Sequence, residues 1–280
     1  MKQYITPVWG DYRLQDVKAV PVERWLGELH YAPSTKAKIK NILSAMYQHA
    51  IRHDWIDRNP IHGVRQSAQR QHDPDILDPQ EIRSLMAELP EPCRTMVMVA
   101  ALTGLRVSEI LGLQWQDVDL EKRIVHLRRG VVNQAVTQLK TAGSKRPLPI
   151  PEELVEALTN WKQKAHYNQP GHWVFASPRK DGKHPYWPGT LLQRLLQPAA
   201  KRAGISKRLG WHSFRRTFAT LLYNNGADVK TTQELMRHST PTVTMGIYAQ
   251  AVTDQKRLAQ NRVAGLILAH EGTPREQVSA

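Results

Sequence analysis

The chain has 280 residues, of which 41% are apolar, and this composition is typical of a globular protein. Its single cysteine excludes an intramolecular disulfide framework and indicates a reducing compartment such as the cytoplasm. Its 39 Lys and Arg residues exceed its 25 Asp and Glu residues, and the net charge of +14 indicates a polyanionic partner, either nucleic acid or an anionic membrane surface. The longest apolar run, residues 96–102, is far shorter than the roughly 20 residues that a bilayer requires, which excludes a membrane-spanning protein.

Positive charge is spread along the whole chain. Residues 1–70 contain 11 Lys or Arg and 6 Asp or Glu, and residues 71–280 contain 28 and 19. Because the excess is not confined to a detachable tail, the distribution favours two basic bodies that close around a polyanion. The stretch 64–75 is poor in apolar residues, which is typical of a linker. We therefore predict a helical domain at 1–70, a linker at 71–76, a second domain at 77–270 and a flexible tail at 271–280.

The N-terminal domain is predicted to be helical. One helix is expected behind Pro21 and a longer one behind Ser34, which is a typical N-cap residue. Lys36, Lys38 and Lys40 fall mostly outside the apolar face of the longer helix, which predicts either a solvated surface or contacts with DNA. The apolar positions at helical spacing are Val22, Trp25, Leu26 and Leu29 in the first helix, and Ile39, Ile42, Leu43, Met46, Tyr47, Ala50 and Ile51 in the second.

Three aspartates, Asp73, Asp75 and Asp78, lie near the start of the second domain, and such a group could hold a metal ion. A capping role is the stronger interpretation, because Asp78 precedes a proline and Glu81 follows three residues later. We therefore expect Asp78 to be the N-cap of a helix that begins at Pro79, and we expect no metal site.

The C-terminal domain is predicted to combine helices with a short β region. The whole chain is therefore expected to be mainly α with a small antiparallel β-sheet, in an α-helical domain followed by an α+β domain. The predicted elements are helices in EPCRTMVMVAALTG and LRVSEILGL, an extended run at Ile124, Val125 and Leu127, a turn at Gly143–Ser144 within residues 139–150, a strand and turn at 172–185, and helices from Thr190 onward.

Three segments of the sequence indicate a function more specifically than the composition does. They are TGLRVSEILGLQW with Arg106, WHSFRRTFATLL with His212 and Arg215, and LMRHSTPTVTMGIYAQ with His238 and Tyr248. In these ordered motifs the chain resembles the tyrosine recombinases of the phage integrase family, from about residue 75 to about residue 265. The resemblance implies a catalytic domain of the tyrosine recombinase type. It also implies that residues 1–70 are a core DNA-binding domain, truncated or naturally short.

The residue types in these motifs suit metal-free cleavage of a phosphodiester, which requires a nucleophile, cations for the developing charge and groups that move protons. Tyr248 is the candidate nucleophile. A phenol has a pKa near ~10, so its oxygen needs cationic surroundings at neutral pH. Arg106 and Arg215 are the candidate cations, because a guanidinium binds two phosphate oxygens at once. Glu109 either orients Arg106 or forms an ordinary i, i+3 surface pair with it.

The two histidines of the motifs are expected to act on the phosphate. His212 and Arg215 share one helix face, whereas Arg216 points about 100° away and is expected to contact the DNA backbone or to be structural. The family often has a histidine at the position of Arg216. By resemblance, His212 contacts phosphate or assists proton transfer, and His238 donates a hydrogen bond to a phosphate oxygen. The residue before His238 is usually small in the family, but here it is Arg237.

The general acid is expected to be a mobile lysine. The segment LKTAGSKRPLPIP resembles the family's hairpin lysine segment, which gives Lys140 this role, and Lys145 is the alternative because a turn could bring either ammonium to the phosphate. In the implied reaction Tyr248 forms a 3′-phosphotyrosyl link and releases a 5′-hydroxyl, and a 5′-hydroxyl from a partner strand then attacks that link. Because the bond energy is kept, we expect no ATP, metal or other cofactor.

The leading hypothesis is a site-specific DNA recombinase, an integrase of a mobile element that acts on double-stranded DNA in the cytoplasm, associated with the nucleoid. Two alternatives stay open: a type IB topoisomerase-like enzyme, and a DNA-binding relative without catalysis. By resemblance we expect a homotetramer on paired DNA sites, with no membrane partner. Residues 254–280 would then dock on a neighbouring subunit or, alternatively, pack on their own domain.

Overall fold

The computed structural model describes residues 3–68, 75–138 and 147–237. The chain divides between Asp73 and Pro74 into two compact units. Several predicted positions lie outside the described residues: Asp73, Lys140, the turn at Gly143–Ser144, Lys145, His238, Tyr248, and the segments 254–280 and 271–280.

The first unit is built from helical elements, of which α3 is the longest: α1 (Thr6–Trp9), a 3₁₀ turn (Leu14–Asp16), α2 (Ala19–Glu28), α3 (Pro33–Arg52) and a second 3₁₀ turn (Pro60–Gly63). Helices α2 and α3 both pack on the second turn, and Leu26 and Ile61 are fully buried there. The Tyr47 hydroxyl donates to the Leu14 carbonyl at 3.2 Å. This bond satisfies a polar group next to the apolar core and ties α3 to the first turn.

The starts of α2 and α3 differ from the predicted ones. Helix α2 begins at Ala19, two residues before Pro21. Helix α3 begins at Pro33 with Ala32 at the N-cap and no side-chain cap, so the prediction that Ser34 caps it is wrong. The physical reason is that proline suits the first helical position, since its φ is already helical and it has no N–H to satisfy.

The apolar face of α3 is narrower than predicted. The buried members of the predicted set are Ile39, Leu43, Tyr47 and Ala50, whereas Ile42 is 40% exposed. Among the three lysines beside this face, Lys38 is exposed and Lys36 is half-buried. The Lys36 ammonium donates to the Gly27 carbonyl at 2.8 Å, which anchors the start of α3 to the end of α2.

The second unit contains most of the described helices: α4 (Pro79–Ala87), α5 (Cys93–Thr103), α6 (Val107–Leu111), α7 (Glu152–Lys164), α8 (Pro188–Leu191), α9 (Gln197–Arg202), α10 (Trp211–Asn224) and α11 (Val229–Met236). A π-helical segment, Leu192–Leu196, joins α8 to α9. The predicted capping box of α4 is confirmed: Asp78 Oδ1 accepts the Glu81 N–H at 2.8 Å, and Glu81 Oε2 accepts the Asp78 N–H at 2.8 Å. Asp75 instead accepts the backbone N–H of Arg208 at 2.7 Å.

The described β structure consists of two small antiparallel sheets rather than one. Strands β1 (Val118–Asp119), β2 (Ile124–Val125) and β5 (Leu148–Pro149) form the first in the order β1-β2-β5, with Val125 opposite both Val118 and Leu148. Strands β3 (Arg129–Val132) and β4 (Ala135–Gln138) form the second. Its turn residues, Asn133 and Gln134, have φ values of 50° and 64°, as in a type I′ hairpin. Sequence reasoning missed this hairpin because the turn contains no glycine.

The residues predicted as another strand and turn, 172–185, form isolated bridges instead of a regular strand. Trp173 pairs with Gln114, and Ala176 pairs with Pro185. A 3₁₀ turn, Pro178–Lys180, lies between the two partners of the second bridge. The chain therefore reverses direction as predicted without forming a ladder.

The core of the second unit centres on α5, whose apolar side chains are almost all buried. Helix α10 packs along α5, with Phe214 fully buried between the surrounding elements. The Thr217 hydroxyl on α10 accepts the Leu77 N–H at 3.0 Å, which anchors the chain just before α4. Within the described ranges, none of the helices has the length and apolar character needed to cross a membrane.

Candidate active site

The candidate site begins where Gly104 turns the chain at the end of α5. Its φ of +61° lies in the left-handed region, and an added Cβ would come within 2.6 Å of Phe218 Cδ1 and 2.9 Å of Met236 Sδ. Glycine is therefore required here both for its conformation and for close packing. The turn places Arg106 at the N-cap of α6.

Glu109 holds Arg106 through both of its oxygens. Oε2 accepts the Arg106 backbone N–H at 2.8 Å, and Oε1 accepts Arg106 Nη1 at 3.0 Å. The Glu109 side chain is 4% exposed, whereas that of Arg106 is 39% exposed. The interpretation of an ordinary surface pair is wrong, because the carboxylate is buried. The contacts instead orient a guanidinium that still reaches solvent.

Arg215, in contrast, is buried on α10 and 6% exposed. Its two terminal nitrogens donate to the carbonyls of Gly104 and Met236, so it links the turn before Arg106 to the end of α11. Burial lowers its pKa to about 9, and the positive charge of Arg106 contributes to this shift. Because that value is above neutrality, the guanidinium is charged at pH 7.

Arg237 is a further cation of the site that sequence reasoning did not assign to it. It ends α11 in the left-handed conformation, with φ 50° and ψ 45°, and its side chain is 3% exposed. Nη2 donates to Glu109 Oε2 at 2.9 Å. Burial lowers the pKa of Arg237, although the negative charge of Glu109 opposes that effect. The only signal in the sequence was an arginine where the resembled family has a small residue.

His212 lies at the start of α10 with its side chain exposed. Loss of hydration on the side of the ring that faces the protein lowers its pKa, and the charges of Arg216, Arg215 and Arg106 lower it further. Three arginines therefore lie close enough to His212 to affect its titration. The lowered pKa favours the neutral imidazole, in which one ring nitrogen is able to accept a proton.

The structure thus places Arg106, His212 and Arg215 near one another, with Glu109 beside Arg106, and adds Arg237. We refer to Arg106, Glu109, Arg215 and Arg237 as the Glu109 cluster. This cluster holds three guanidinium groups against one carboxylate, so it can accept an anion at the exposed side of Arg106. In the described parts of the chain, no group of three or more His, Cys, Asp or Glu side chains could hold a metal ion.

The sequence profile of the phage integrase family matches residues 75–255. The match covers more than half of the chain and includes every motif that carried the resemblance. The chain belongs to the phage integrase family. As a tyrosine recombinase it is an enzyme that cleaves and rejoins DNA strands, as the motifs predict.

Individual relatives agree with this assignment. The chain is 28% identical over 242 residues to tyrosine recombinase XerD of Shewanella oneidensis, covering 81% of this chain and 75% of the relative. It is 29% identical over 232 residues to prophage integrase IntR of Escherichia coli K12, covering 76% of this chain and 56% of the relative. The chain therefore spans between about half and three quarters of the length of these relatives.

Solved structures of other integrases share the fold. The Tn1549 transposon integrase in complex with transposon right end DNA superposes with a TM-score of 0.74 at 24% identity, covering 90% of this chain and 87% of the other. A lambda integrase dimer bound to a COC′ core site gives a TM-score of 0.60 at 19% identity, covering 95% and 69%. The predicted fold class, mainly α with small antiparallel β structure, is confirmed.

Proposed function

We propose that the chain is a site-specific integrase that binds double-stranded DNA and cleaves one strand through Tyr248. The phenol oxygen attacks the scissile phosphorus, a 3′-phosphotyrosyl bond forms, and the 5′-oxygen leaves as a hydroxyl. Arg106 and Arg215 stabilise the negative charge that develops on the phosphate. Three further groups assist: His212 and His238 at the phosphate oxygens, and Lys140 as the donor of a proton to the leaving oxygen.

The observation that carries this proposal is the excess positive charge of the Glu109 cluster. Arg106 and Arg237 share the Glu109 carboxylate, Arg215 bonds only backbone carbonyls, and Arg215 and Arg237 are both buried. Such an arrangement is unfavourable in the free protein, because buried like charges repel and lack hydration. A phosphodiester brought against the exposed edge of Arg106 supplies the missing negative charge, and that charge grows in the transition state.

The electrostatics of the whole chain and the relatives support DNA as the substrate. The net charge is +14, and Lys38 and Arg216 offer further cations for the DNA backbone. The Tn1549 integrase whose fold matches was solved with transposon end DNA. Conservation of the phosphate bond energy in a phosphotyrosyl link removes any need for ATP or a metal. On this proposal the protein works on double-stranded DNA in the cytoplasm.

The decisive experiment is covalent trapping on a nicked suicide substrate made from the DNA that flanks the chain's own gene. The nick lets the short 5′-hydroxyl fragment diffuse away, so a phosphotyrosyl intermediate accumulates. We expect a DNA-linked protein band in denaturing gels, formed in the presence of EDTA. Peptide mapping should locate the label on Tyr248.

Tyr248→Phe should bind the same DNA and give no covalent band, because it lacks the attacking oxygen. Tyr223→Phe, a tyrosine of α10 in the same unit, is the matched control and should trap normally. Absence of trapping by the unchanged protein would favour a DNA-binding relative without catalysis. Relaxation of any supercoiled plasmid, without dependence on the flanking sequence, would favour the topoisomerase-like alternative.

Strand exchange needs two DNA duplexes and therefore several active sites at once. We propose that the chain assembles as a homotetramer on paired DNA sites, with residues 254–280 docking on a neighbouring subunit. The family assignment supports this assembly, since exchange of two duplexes requires four cleavages.

A further inference from the structure

Arg237 occupies a backbone conformation that does not suit arginine. Its φ of 50° and ψ of 45° place it in the left-handed region, where every residue with a Cβ is strained and glycine is not. Asparagine and aspartate are the usual non-glycine residues in this region, because their short side chains bond locally. The stability of α11 alone therefore gives no reason for an arginine at its end.

Burial of the Arg237 side chain is a second feature that destabilises the folded protein. It is 3% exposed, and within the described ranges its Nε and Nη1 have no hydrogen-bond partner. Burying a cation with unpaired donors is among the most destabilising arrangements in a protein. Strained and incompletely paired residues persist mainly where they serve function.

Within the described residues, the one hydrogen-bond partner of the Arg237 side chain is the carboxylate that holds Arg106. Glu109 Oε2 accepts two bonds, from the Arg106 backbone at 2.8 Å and from Arg237 Nη2 at 2.9 Å. Its other oxygen is left to the Arg106 guanidinium. Arg237 therefore helps to fix the plane of the carboxylate, and with it the direction of the one exposed guanidinium in the Glu109 cluster.

Arg237 also changes the charge that Arg106 presents. With Arg106 as its only partner, a buried Glu109 would neutralise that guanidinium in a closed pair. Because Glu109 is shared with a second cation, Arg237, its negative charge cancels less of the positive potential at the exposed side of Arg106, and that potential can attract an anion. Removing Arg237 would leave the Arg106–Glu109 bonds in place but weaken the attraction of Arg106 for phosphate.

We propose that Arg237 is a positioning residue of this active site: through Glu109 it directs the Arg106 guanidinium and preserves its charge for the scissile phosphate. The proposal rests on the proposed function above. It predicts that Arg237 contributes to cleavage only when Glu109 is present as a carboxylate.

The test is single-turnover trapping at saturating protein on the nicked substrate, with Arg237→Gly, Glu109→Gln and the double variant. Glycine suits the left-handed backbone and removes the guanidinium. We expect Arg237→Gly to trap about 10- to 100-fold more slowly, with DNA binding at saturation unchanged. In the Glu109→Gln background, the same change should add less than about threefold, because the two residues act through one contact.

A second pair of variants keeps the test valid if the glycine variant fails to fold. Arg237→Lys and Arg237→Met have unbranched side chains of similar length and the same backbone strain, but only lysine keeps the charge. We expect lysine to recover at least part of the rate and methionine none. Arg202→Ala, which removes an exposed arginine paired with Glu88 at 2.7 Å, controls for loss of one positive charge and should trap normally.

The outcomes separate this inference from the proposed function. If the unchanged protein traps DNA and Arg237→Gly traps equally fast, the inference is wrong and the proposed function stands. The inference would also be wrong if the losses of trapping rate in Arg237→Gly and Glu109→Gln multiplied in the double variant. Equal trapping rates for Arg237→Lys and Arg237→Met would overturn it as well. If the unchanged protein forms no covalent complex, the proposed function fails and the inference falls with it.

Discussion

Two buried carboxylates in the second unit are held in nearly the same way. Glu109 and Asp117 each accept a backbone N–H from the residue three positions earlier, Arg106 and Gln114. Each is also paired with two arginines, and both side chains are at most 4% exposed. We refer to Gln114, Asp117, Arg128 and Arg129 as the Asp117 cluster.

The two clusters differ in the positive charge that surrounds the carboxylate. In both, one polar side chain is incompletely hydrogen-bonded within the described residues, since Asp117 Oδ1 has only the ion pair with Arg128 at 3.2 Å. In the Asp117 cluster, Arg129 Nη1 bonds Asp117 at 2.6 Å and lies 3.3 Å from the Gly112 carbonyl, while Arg128 is 61% exposed to water. Its charges are therefore paired or solvated, and it joins β3 to the turn before β1. The Glu109 cluster instead adds Arg215 and leaves donors of Arg237 without a described partner. Excess positive charge, rather than the arginine–carboxylate motif itself, distinguishes the candidate active site.

The largest difference in trapping rate between the two clusters is expected when one arginine is removed from each. Arg215→Ala should reduce the trapping rate by about 10²- to 10³-fold, since it removes charge stabilisation at the developing phosphate charge. Arg129→Ala should lower the melting temperature and leave the trapping rate within about fivefold of the unchanged protein, because its charge is used structurally. The rates are compared at a temperature where circular dichroism shows both variants folded. Equal losses of trapping and of DNA binding in Arg215→Ala would make it an ordinary backbone contact.

Neutralising each carboxylate should give the next largest difference. Glu109→Gln should slow trapping by about 10- to 100-fold, because Arg106 loses its orienting partner. Asp117→Asn should instead destabilise the fold by about 3 kcal/mol, the usual result of breaking a buried ion pair, with little change in the trapping rate of the folded protein. Urea unfolding and single-turnover trapping measure the two effects. A slow Asp117→Asn variant that is fully folded would contradict the division between the clusters.

The smallest expected effect is on proton uptake at His212, which borders only the Glu109 cluster. In the free protein its pKa is lowered by desolvation and by Arg216, Arg215 and Arg106, so it binds fewer protons than an ordinary histidine near neutral pH. A bound phosphate opposes those charges and raises the pKa, so DNA binding at pH 7 should take up protons, at most one per site. Calorimetry in two buffers with different ionisation enthalpies measures this uptake. His212→Gln should take up less, and equal uptake by the two proteins would show that His212 does not sense the phosphate.

The same histidine should affect stability with a definite sign. Because its folded pKa lies below the ordinary value of 6.5, the unfolded chain protonates first as the pH falls. The unchanged protein should therefore lose a small amount of stability, relative to His212→Gln, as the pH decreases through about 6.5. An increase in relative stability over that range would contradict the lowered pKa.

Local patterns in the sequence were sufficient wherever a short segment decides its own structure. The capping box at Asp78, the helix that carries both His212 and Arg215, and the apolar face of α3 follow from residue spacing, because these interactions span only three or four positions. Local rules failed where two of them compete, as at Pro33 and Ser34, or where a turn lacks its usual glycine, as at Asn133–Gln134. The motifs identified the family for a different reason, since several ordered residue types rarely occur together by chance.

The relation between distant segments was decided only by tertiary structure. Glu109 and Arg237 are 128 positions apart, and no periodicity in the sequence links them. Burial is also a property of the packing around α5 and α10 rather than of any single motif. It excludes water, and electrostatic interactions between the buried charges are stronger as a result. The sequence therefore determined which side chains are candidates for binding a phosphate, and the fold decided which of them share a carboxylate.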